Sequence, residues 1–207
     1  MNRRHVLAGL TTTMVMDVLA PSVDAKEAHA AGESHTASVL RWRPEVAVAS
    51  LRFGVPIPWI EAVMAAECAG QTTRAGRPII SVKGAMGLMQ LMPATYDDMR
   101  RTYGLGPDPY WPSDNILAGT AYLRLTYDRF GFPGLFAAYN CGPDRYALSL
   151  TGTPLPAETR TYLTTVLRYL GETPPPADRL FVELDGRGGS DREIPPLPTV
   201  FVPIDQN

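Results

Sequence analysis

Residues 59–95 of the chain have the sequence WIEAVMAAECAGQTTRAGRPIISVKGAMGLMQLMPAT, and this stretch decides the fold. Apolar residues recur at helical spacing through its first part, at Trp59, Ile60, Val63, Met64 and Ala66. The spacing predicts a mostly buried helix that ends at Glu67. Residues 70–92 then contain four glycines and a proline, a composition that predicts loops and a short irregular sheet. A carboxylate is therefore expected at the end of a buried helix, followed by a segment suited to shaping a substrate site.

The composition limits the classes of function that the whole chain can have. Its 207 residues are 45% hydrophobic and carry a formal net charge of −2, which predicts one globular domain with tails and no basic surface for nucleic acid. The histidines, His5, His29 and His35, all lie near the N-terminus, so the body of the chain has none for a metal site or a catalytic triad. We expect no cofactor and no nucleic-acid partner, and catalysis by carboxylates, hydroxyls or thiols.

The N-terminus has the pattern of an export signal. A basic segment at residues 2–5 precedes a largely apolar stretch, residues 6–20, that is too short to span a membrane as a stable helix. We expect residues 1–30 to be an export signal that is cleaved after Ala25 or Ala30. The protein is then periplasmic or otherwise exported, with no stable transmembrane span after cleavage. The paired arginines of the basic segment leave both the Sec and the twin-arginine route open.

Helical patterns also occur on both sides of the deciding stretch. We predict helices at residues 44–52, 93–103, 113–130, 133–141 and 158–170. Residues 31–43 are polar and are predicted to be irregular, so one mainly helical domain is expected over residues 44–170. Residues 171–207 are rich in proline and glycine, and we expect them to form an extended or flexible tail.

Several short blocks of sequence occur in a specific order. They are Glu67-Cys68, Ser81, residues 84–95 (GAMGLMQLMPAT), Asn115-Ile116, Gly119, Tyr122-Leu123, residues 138–143 (AYNCGP), and Glu158-Thr159 with Tyr162. In this order they resemble the soluble lytic transglycosylase domains, over residues 46–170. The resemblance implies a mainly α (α+β lysozyme-like) fold of the goose type, a helical bundle with a small β-sheet lining a glycan-binding groove. It also implies that peptidoglycan glycan strands are the partner in that groove.

Glu67 has the setting of a catalytic acid, which must protonate the leaving oxygen of a glycosidic bond. Apolar neighbours should raise its pKa and keep it protonated near neutral pH, although a surface glutamate in an ion pair is the alternative. By resemblance, Glu67 is acid and then base at the β-1,4 bond between N-acetylmuramic acid and N-acetylglucosamine. Residues 68–95 contain no Asp or Glu, which suits the family mechanism. There the substrate's N-acetyl group stabilises the cation, and the muramic 6-hydroxyl attacks to form a 1,6-anhydromuramyl end without water.

The resemblance also assigns supporting residues. Tyr139 corresponds to the tyrosine that orients the catalytic glutamate, and Asn140 to a groove contact. A core aromatic and a helix C-cap explain these two residues equally well. Gln90 matches a residue that contacts the acetamido sugar, and Ser81 matches one near the acid.

Three further residues have a packing role as a strong alternative. Met89 and Met92 match apolar groove or core positions, and core packing is the favoured interpretation for both. Tyr162 lies in the block that closes the groove near the acid. Its helical spacing with Val166 makes a packing role equally good, so it ranks below Tyr139.

Two positions depart from the family pattern. Cys68 stands where the family commonly has Ser, and Cys141 where it has Ala or another small residue; the chain has no other cysteines. In an exported protein an even cysteine count favours pairing, and the family fold brings the two blocks together on neighbouring helices. A Cys68–Cys141 disulfide is therefore predicted, with two small buried thiols as the alternative.

The stretch from Glu67 to Gly87 is also about five residues longer than in typical family members. The longer loop includes Arg74 and Arg77. These arginines could meet carboxylates of peptide stems, or they could belong to a solvated surface loop. The loop is expected to reshape the groove.

Two other functions remain as alternatives. A lysozyme-like muramidase would use Glu67 but deliver water to the anomeric carbon, so its products would contain one more water. A noncatalytic peptidoglycan-binding component of a cell-envelope secretion or conjugation apparatus would keep the groove without the chemistry, and the presence of both Glu67 and Tyr139 speaks against it. The small domain and the Pro-rich tail suit a specialised family member that opens the wall for such an apparatus.

Overall fold

The structure of the protein, a computed structural model, describes residues 37–172. The predicted export signal and the predicted tail beyond residue 172 lie outside the described residues. The helices are α1 (Arg43–Phe53), α2 (Ile57–Cys68), α3 (Pro93–Tyr103), α4 (Pro112–Phe130), α5 (Gly134–Cys141), α6 (Pro143–Leu150) and α7 (Ala157–Tyr169). A helical turn at residues 37–40 precedes them. Between α2 and α3, strands β1 (Thr73–Arg74) and β2 (Arg77–Pro78) form an antiparallel hairpin.

Helix α2 is apolar on nearly every side and has well-defined ends. Pro58 lies in its first turn, where the missing N–H leaves no gap in the hydrogen bonding, and Ala69 ends it in the left-handed conformation with φ of 51°. Gly70 follows with φ of 70°, and a Cβ added there would lie 2.5 Å from the carbonyl oxygen of Ser38. The chain therefore turns sharply just past Glu67, which stays in the last turn of the helix.

A buried ion pair fixes α2 against α1. Glu61 is 4% exposed, and the Arg43 guanidinium binds both of its oxygens, with Nε to Oε1 at 2.8 Å and Nη2 to Oε2 at 2.9 Å. This bidentate geometry satisfies a carboxylate that would otherwise be buried without a partner. Glu61, an acidic residue within the apolar pattern of α2, thus connects the two helices through an ion pair.

Helix α4 is the centre of the bundle. Helices α1, α3 and α5 pack against it, while α7 packs against α2 and α5. Gly119 lies on the α4 face that meets Met89, and a Cβ added to it would lie 2.4 Å from the Met89 Cβ. Glycine at this position therefore lets the irregular segment before α3 pack directly on the helix.

The side-chain amide of Asn115 holds that irregular segment in place. Asn115 is fully buried, and its Oδ1 accepts a hydrogen bond from the Met89 N–H at 2.7 Å. Its Nδ2 donates to the carbonyls of Met86 and Pro109 at 3.1 and 2.8 Å. Gly87 has φ of 74°, and a Cβ there would lie 2.5 Å from the same amide nitrogen. One side chain therefore satisfies backbone groups that a regular sheet would otherwise pair.

The predicted architecture, mainly helical with a small sheet, is confirmed. Helix α6 does not appear in the sequence prediction, because Gly142-Pro143 has the pattern of a helix end. In the structure this proline occupies the first turn of a new helix, a position that proline favours. The helical turn at residues 37–40 corrects the prediction that residues 31–43 are irregular. Among residues 37–172, no helix is both long and apolar enough to cross a membrane.

We expect Asn115→Ala to lower the free energy of unfolding by about 3 kcal/mol, because the Met89 N–H and the Pro109 carbonyl lose their partner. The Met86 carbonyl keeps its bond from the Leu91 N–H. Thr120→Val is the matched control: Thr120 is also buried on α4, but its hydroxyl bonds only the Ile116 carbonyl of the same helix, at 2.7 Å. Thr120→Val should lower the free energy of unfolding by less than about 1 kcal/mol. Urea unfolding of both variants measures the difference, and equal losses would contradict the role of Asn115.

Candidate active site

The segment held by Asn115 forms one wall of a cleft of about 440 Å³. The ends of α2 and α5 and the start of α7 form the other walls, and Tyr122 of α4 also contributes. Of the predicted site residues, the cleft is lined by Glu67, Ser81, Gln90, Tyr139 and Asn140. Strands β1 and β2 contribute no lining residue, because the wall comes from the loop that follows them.

The carboxyl of Glu67 reaches the cleft from the last turn of α2 and is largely surrounded by protein. Burial raises its pKa from 4.5 to about 7, because the charged form loses its water. The Tyr162 hydroxyl, which faces the carboxyl, lowers the pKa by favouring the charged form, and the negative charge of Glu158 raises it. Near neutral pH the carboxyl is therefore poised between its acid and base forms, as a group that gives and then takes a proton must be.

Two buried tyrosines flank Glu67, and they have different partners. The Tyr139 hydroxyl donates to the Met89 carbonyl at 2.8 Å, so its proton is directed away from Glu67. The Tyr162 hydroxyl faces the Glu67 carboxyl but meets no partner at full hydrogen-bond geometry within the described residues. Burial, followed by the nearby Glu67 charge, raises the pKa of both tyrosines well above the ordinary value. The contacts reverse the expected order, because Tyr162 is the tyrosine that can donate to the acid.

Three other lining residues make local hydrogen bonds, and two of them keep one polar group available. Ser81 Oγ accepts from the Ala85 N–H at 2.9 Å, and Gln90 Nε2 donates to the Gly87 carbonyl at 2.7 Å. Asn140 Oδ1 accepts from a threonine hydroxyl of α7 at 2.8 Å. The Gln90 carbonyl oxygen and the Asn140 amide nitrogen bond no other described residue. Both can therefore bind an amide or hydroxyl group of a ligand.

The two methionines expected in the core separate in the structure. Met89 is fully buried, so its predicted packing role is confirmed. Met92 is 46% exposed and lines the cleft, so the same prediction is wrong for it. Met92 has extended backbone at the N-cap of α3, outside the helix that packs into the core.

The structure does not contain the predicted disulfide between Cys68 and Cys141, and both cysteines are free thiols in it. Cys68 is buried, and its sulfur lies 3.2 Å from the Leu88 carbonyl oxygen; burial raises its pKa to about 11. Cys141 is only partly buried and lines the cleft, where its thiol contacts Thr159. The fold brings both blocks to the same site, as predicted, but their thiols point to different neighbours.

The sequence patterns missed an ion pair at the cleft. Lys83 Nζ lies 2.5 Å from Glu158 Oε2, and this exposed pair joins the loop wall to the start of α7. Glu158 belongs to one of the blocks named above, but no sequence signal indicated contact with a lysine 75 residues earlier. A second carboxylate therefore reaches the cleft, although residues 68–95 contain none. Because both side chains are exposed, the pair adds at most about 1 kcal/mol to stability.

The raised pKa of Glu67 predicts a pH-dependent stability. Its folded-state pKa of about 7 exceeds the unfolded value of 4.5. This group therefore leaves the free energy of unfolding unchanged below pH 4.5, and it lowers that free energy as the pH rises from 4.5 through 7. We expect Glu67→Gln to exceed the wild type by roughly 3 kcal/mol at pH 8 and to match it at pH 4. Urea unfolding at both pH values measures this, with Glu172→Gln, an exposed carboxyl outside the cleft, as control. If Glu67→Gln raised the free energy of unfolding equally at both pH values, the raised pKa of Glu67 would not be the cause.

Comparison with known proteins identifies related sequences. Residues 45–151 match the family model described as the transglycosylase SLT domain. The chain is 36% identical over 105 residues to the soluble lytic murein transglycosylase of Salmonella typhimurium, which covers 42% of this chain and 16% of that protein. It is 37% identical over 93 residues to the transglycosylase of Enterobacteria phage PRD1, which covers 44% of this chain and 31% of that protein. The chain thus spans less than a third of the length of these relatives.

Solved structures show the same fold. The lytic transglycosylase Slt of Pseudomonas aeruginosa, determined as an inactive glutamate-to-glutamine mutant, matches with a TM-score of 0.55 and 28% identity, over 72% of this chain and 26% of that one. A 70-kDa soluble lytic transglycosylase in complex with bulgecin A matches with a TM-score of 0.56 and 26% identity, over 65% of this chain and 25% of that one. These matches confirm the lysozyme-like fold class. Because the family model covers just over half of the 207 residues, including those from Glu67 to the end of α5, the chain belongs to the transglycosylase SLT domain family.

Proposed function

We propose that the chain cleaves the β-1,4 bond between N-acetylmuramic acid and N-acetylglucosamine in peptidoglycan without hydrolysis, leaving 1,6-anhydromuramyl ends. The observation that carries the proposal is the Glu67 carboxyl, which lines the cleft and has a pKa of about 7. The relatives support the substrate class, since the Salmonella protein is named a murein transglycosylase. The inactive Pseudomonas mutant shows that a glutamate is essential in that relative.

The proposed reaction uses one carboxyl twice. Protonated Glu67 donates its proton to the glycosidic oxygen while the bond from that oxygen to the muramic C1 breaks. The substrate's own N-acetyl group stabilises the positive charge at C1. The 6-hydroxyl of the same sugar then bonds to C1, and its proton passes to the Glu67 carboxylate. Glu67 ends the cycle protonated, and no water is consumed.

Neighbouring groups support both forms of Glu67. After the first proton transfer, the Tyr162 hydroxyl can donate to the new carboxylate, a contact that tightens as the charge appears. Tyr139 acts as a positioning residue through its bond to the Met89 carbonyl, which fixes the turn before Gln90. Gln90 and Asn140 present amide groups to the cleft, where they suit an acetamido sugar.

A hydrolytic muramidase is the second candidate, because Glu158 places another carboxylate in the same cleft. A carboxylate that activates water must face the sugar on the side opposite the acid. Glu158 instead pairs with Lys83 and is well exposed, so it lacks the buried setting of a nucleophile. The raised pKa of Glu67 likewise speaks against a noncatalytic binding component, since burying an unused carboxyl lowers stability without benefit.

We also propose an exported location and a wall-opening role for a secretion or conjugation apparatus. The location follows from the proposed substrate and from the sequence of residues 1–30. The role is supported by the small catalytic domain and by the Pro-rich sequence of residues 171–207. The predicted signal and most of the Pro-rich segment lie outside the described residues, so the location and the role both remain predictions.

Digestion of purified peptidoglycan with mass analysis of the muropeptides tests the proposed reaction. We expect anhydro products from the wild type, and at least about 100-fold slower cleavage by Glu67→Gln, which cannot transfer the proton. Glu158→Gln is the matched control, the same chemical change in the same cleft, and should still yield anhydro products. Equal activity of Glu67→Gln would refute the assignment, and products with one more water would favour the muramidase.

Deletion of residues 173–207, which keeps every described residue, tests the role for an apparatus. We expect cleavage of purified peptidoglycan to stay within about twofold of the full chain, because no described part of the cleft is removed. Secretion or conjugation in cells should fall, since the tail would carry the docking contact. Cells with normal transport after the deletion would count against the role.

A further inference from the structure

The β1–β2 hairpin lies outside the cleft and has no role in the reaction proposed above. Ala75 and Gly76 form its two-residue turn, with left-handed φ values of 50° and 74°, as in a type I′ turn. Arg74 and Arg77 flank the turn and are direct partners in the strand register. The tight turn therefore holds these two arginines next to each other.

No acidic side chain among residues 37–172 pairs with either arginine. Directly opposite residues of an antiparallel pair share one face, with Cβ atoms about 5 Å apart, and like charges in that position destabilise the pair. Both arginines are exposed, and within residues 37–172 neither forms an ion pair or a side-chain hydrogen bond. Residues 68–96 contain no Asp or Glu, and Lys83 in this segment is already paired. Two adjacent guanidinium groups without an anion form a site for an external one.

Backbone contacts connect the hairpin to the cleft wall. The Ile79 N–H donates to the Thr72 carbonyl at 2.9 Å, and the Gly87 N–H donates to the Ile79 carbonyl at 3.2 Å. Ser81 lines the cleft four positions after Arg77, a distance of at most about 14 Å along the chain. A polymer with its sugars in the cleft therefore has its side branches within reach of the hairpin.

We infer that the arginine hairpin, residues 73–78, binds free carboxylates of the peptide stems that branch from a peptidoglycan strand lying in the cleft. The inference rests on the proposed function, which supplies the substrate. A guanidinium group binds a carboxylate through two parallel hydrogen bonds, and the stems carry the carboxylates closest to the sugars of this polymer. The hairpin selects strands by the charge of their stems. It acts on binding rather than on proton transfer, because neither arginine lines the cleft.

The test measures binding without cleavage, with the full chain carrying Glu67→Gln. The probes are soluble glycan strands with intact stems, and the same strands after the stem carboxylates are converted to amides. Adding Arg74→Gln and Arg77→Gln should weaken binding of the acidic strands about three- to tenfold and leave the amidated strands unchanged. The difference should shrink in 1 M salt, which screens exposed charges.

The control variant carries Arg101→Gln and Arg168→Gln, which remove the same charge from exposed arginines on α3 and α7. It should bind both strands as the parent does. The inference is overturned if the hairpin variant binds the acidic strands normally, if it loses both strands equally, or if the parent binds neither. Polyphosphate serves as an additional probe. If the hairpin variant binds polyphosphate more weakly but binds the acidic strands normally, the site binds a phosphate polymer instead. Cleavage by the wild type is measured separately, so failure of the proposed function is seen independently.

Discussion

The buried amide of Asn115 is the contact on which the cleft depends. It satisfies three backbone groups in a part of the chain that has almost no regular structure. The turn that it holds presents the Met89 carbonyl to Tyr139 and carries Gln90 into the cleft. Gly119 allows this arrangement, because only a residue without a side chain lets the turn lie directly on α4. One fully bonded polar side chain in the core thus supports the site together with the isolated bridges that Met86 forms with Ile80 and Leu91.

The chemistry of the cleft follows from the burial of one carboxyl. Helix α2 is apolar because it packs in the core, and the same apolar surroundings remove water from Glu67 and raise its pKa. Stability and reactivity therefore oppose each other at this residue. The second carboxylate at the cleft, Glu158, remains in solvent and is paired with Lys83. The two carboxyls differ in setting, although they line the same cavity.

Charge is distributed differently inside the cleft and around it. Inside, an acid near its pKa lies among neutral hydroxyl and amide groups, and the charged Lys83 and Glu158 neutralise each other at the exposed edge of the cleft. Outside, the hairpin that follows α2 carries Arg74 and Arg77, and residues 68–95 contain no acidic side chain. We propose that the inner groups perform the cleavage and that the outer arginines bind the charged branches of the substrate.

The sequence by itself determined every helix except α6 and the turn at residues 37–40, and it placed the end of α2 within one residue of its position at Cys68. It also determined the irregular segment after α2 and the residues that carry the family resemblance. These features depend on local periodicity, proline and glycine, which act over a few residues. The tertiary structure alone decided that Tyr162 faces Glu67, that Met92 is exposed, that Lys83 reaches Glu158 and that both cysteines are free. Each of these depends on how side chains from distant segments are oriented in space. Helical spacing can bring such segments to one site, but the direction of each side chain is set by packing.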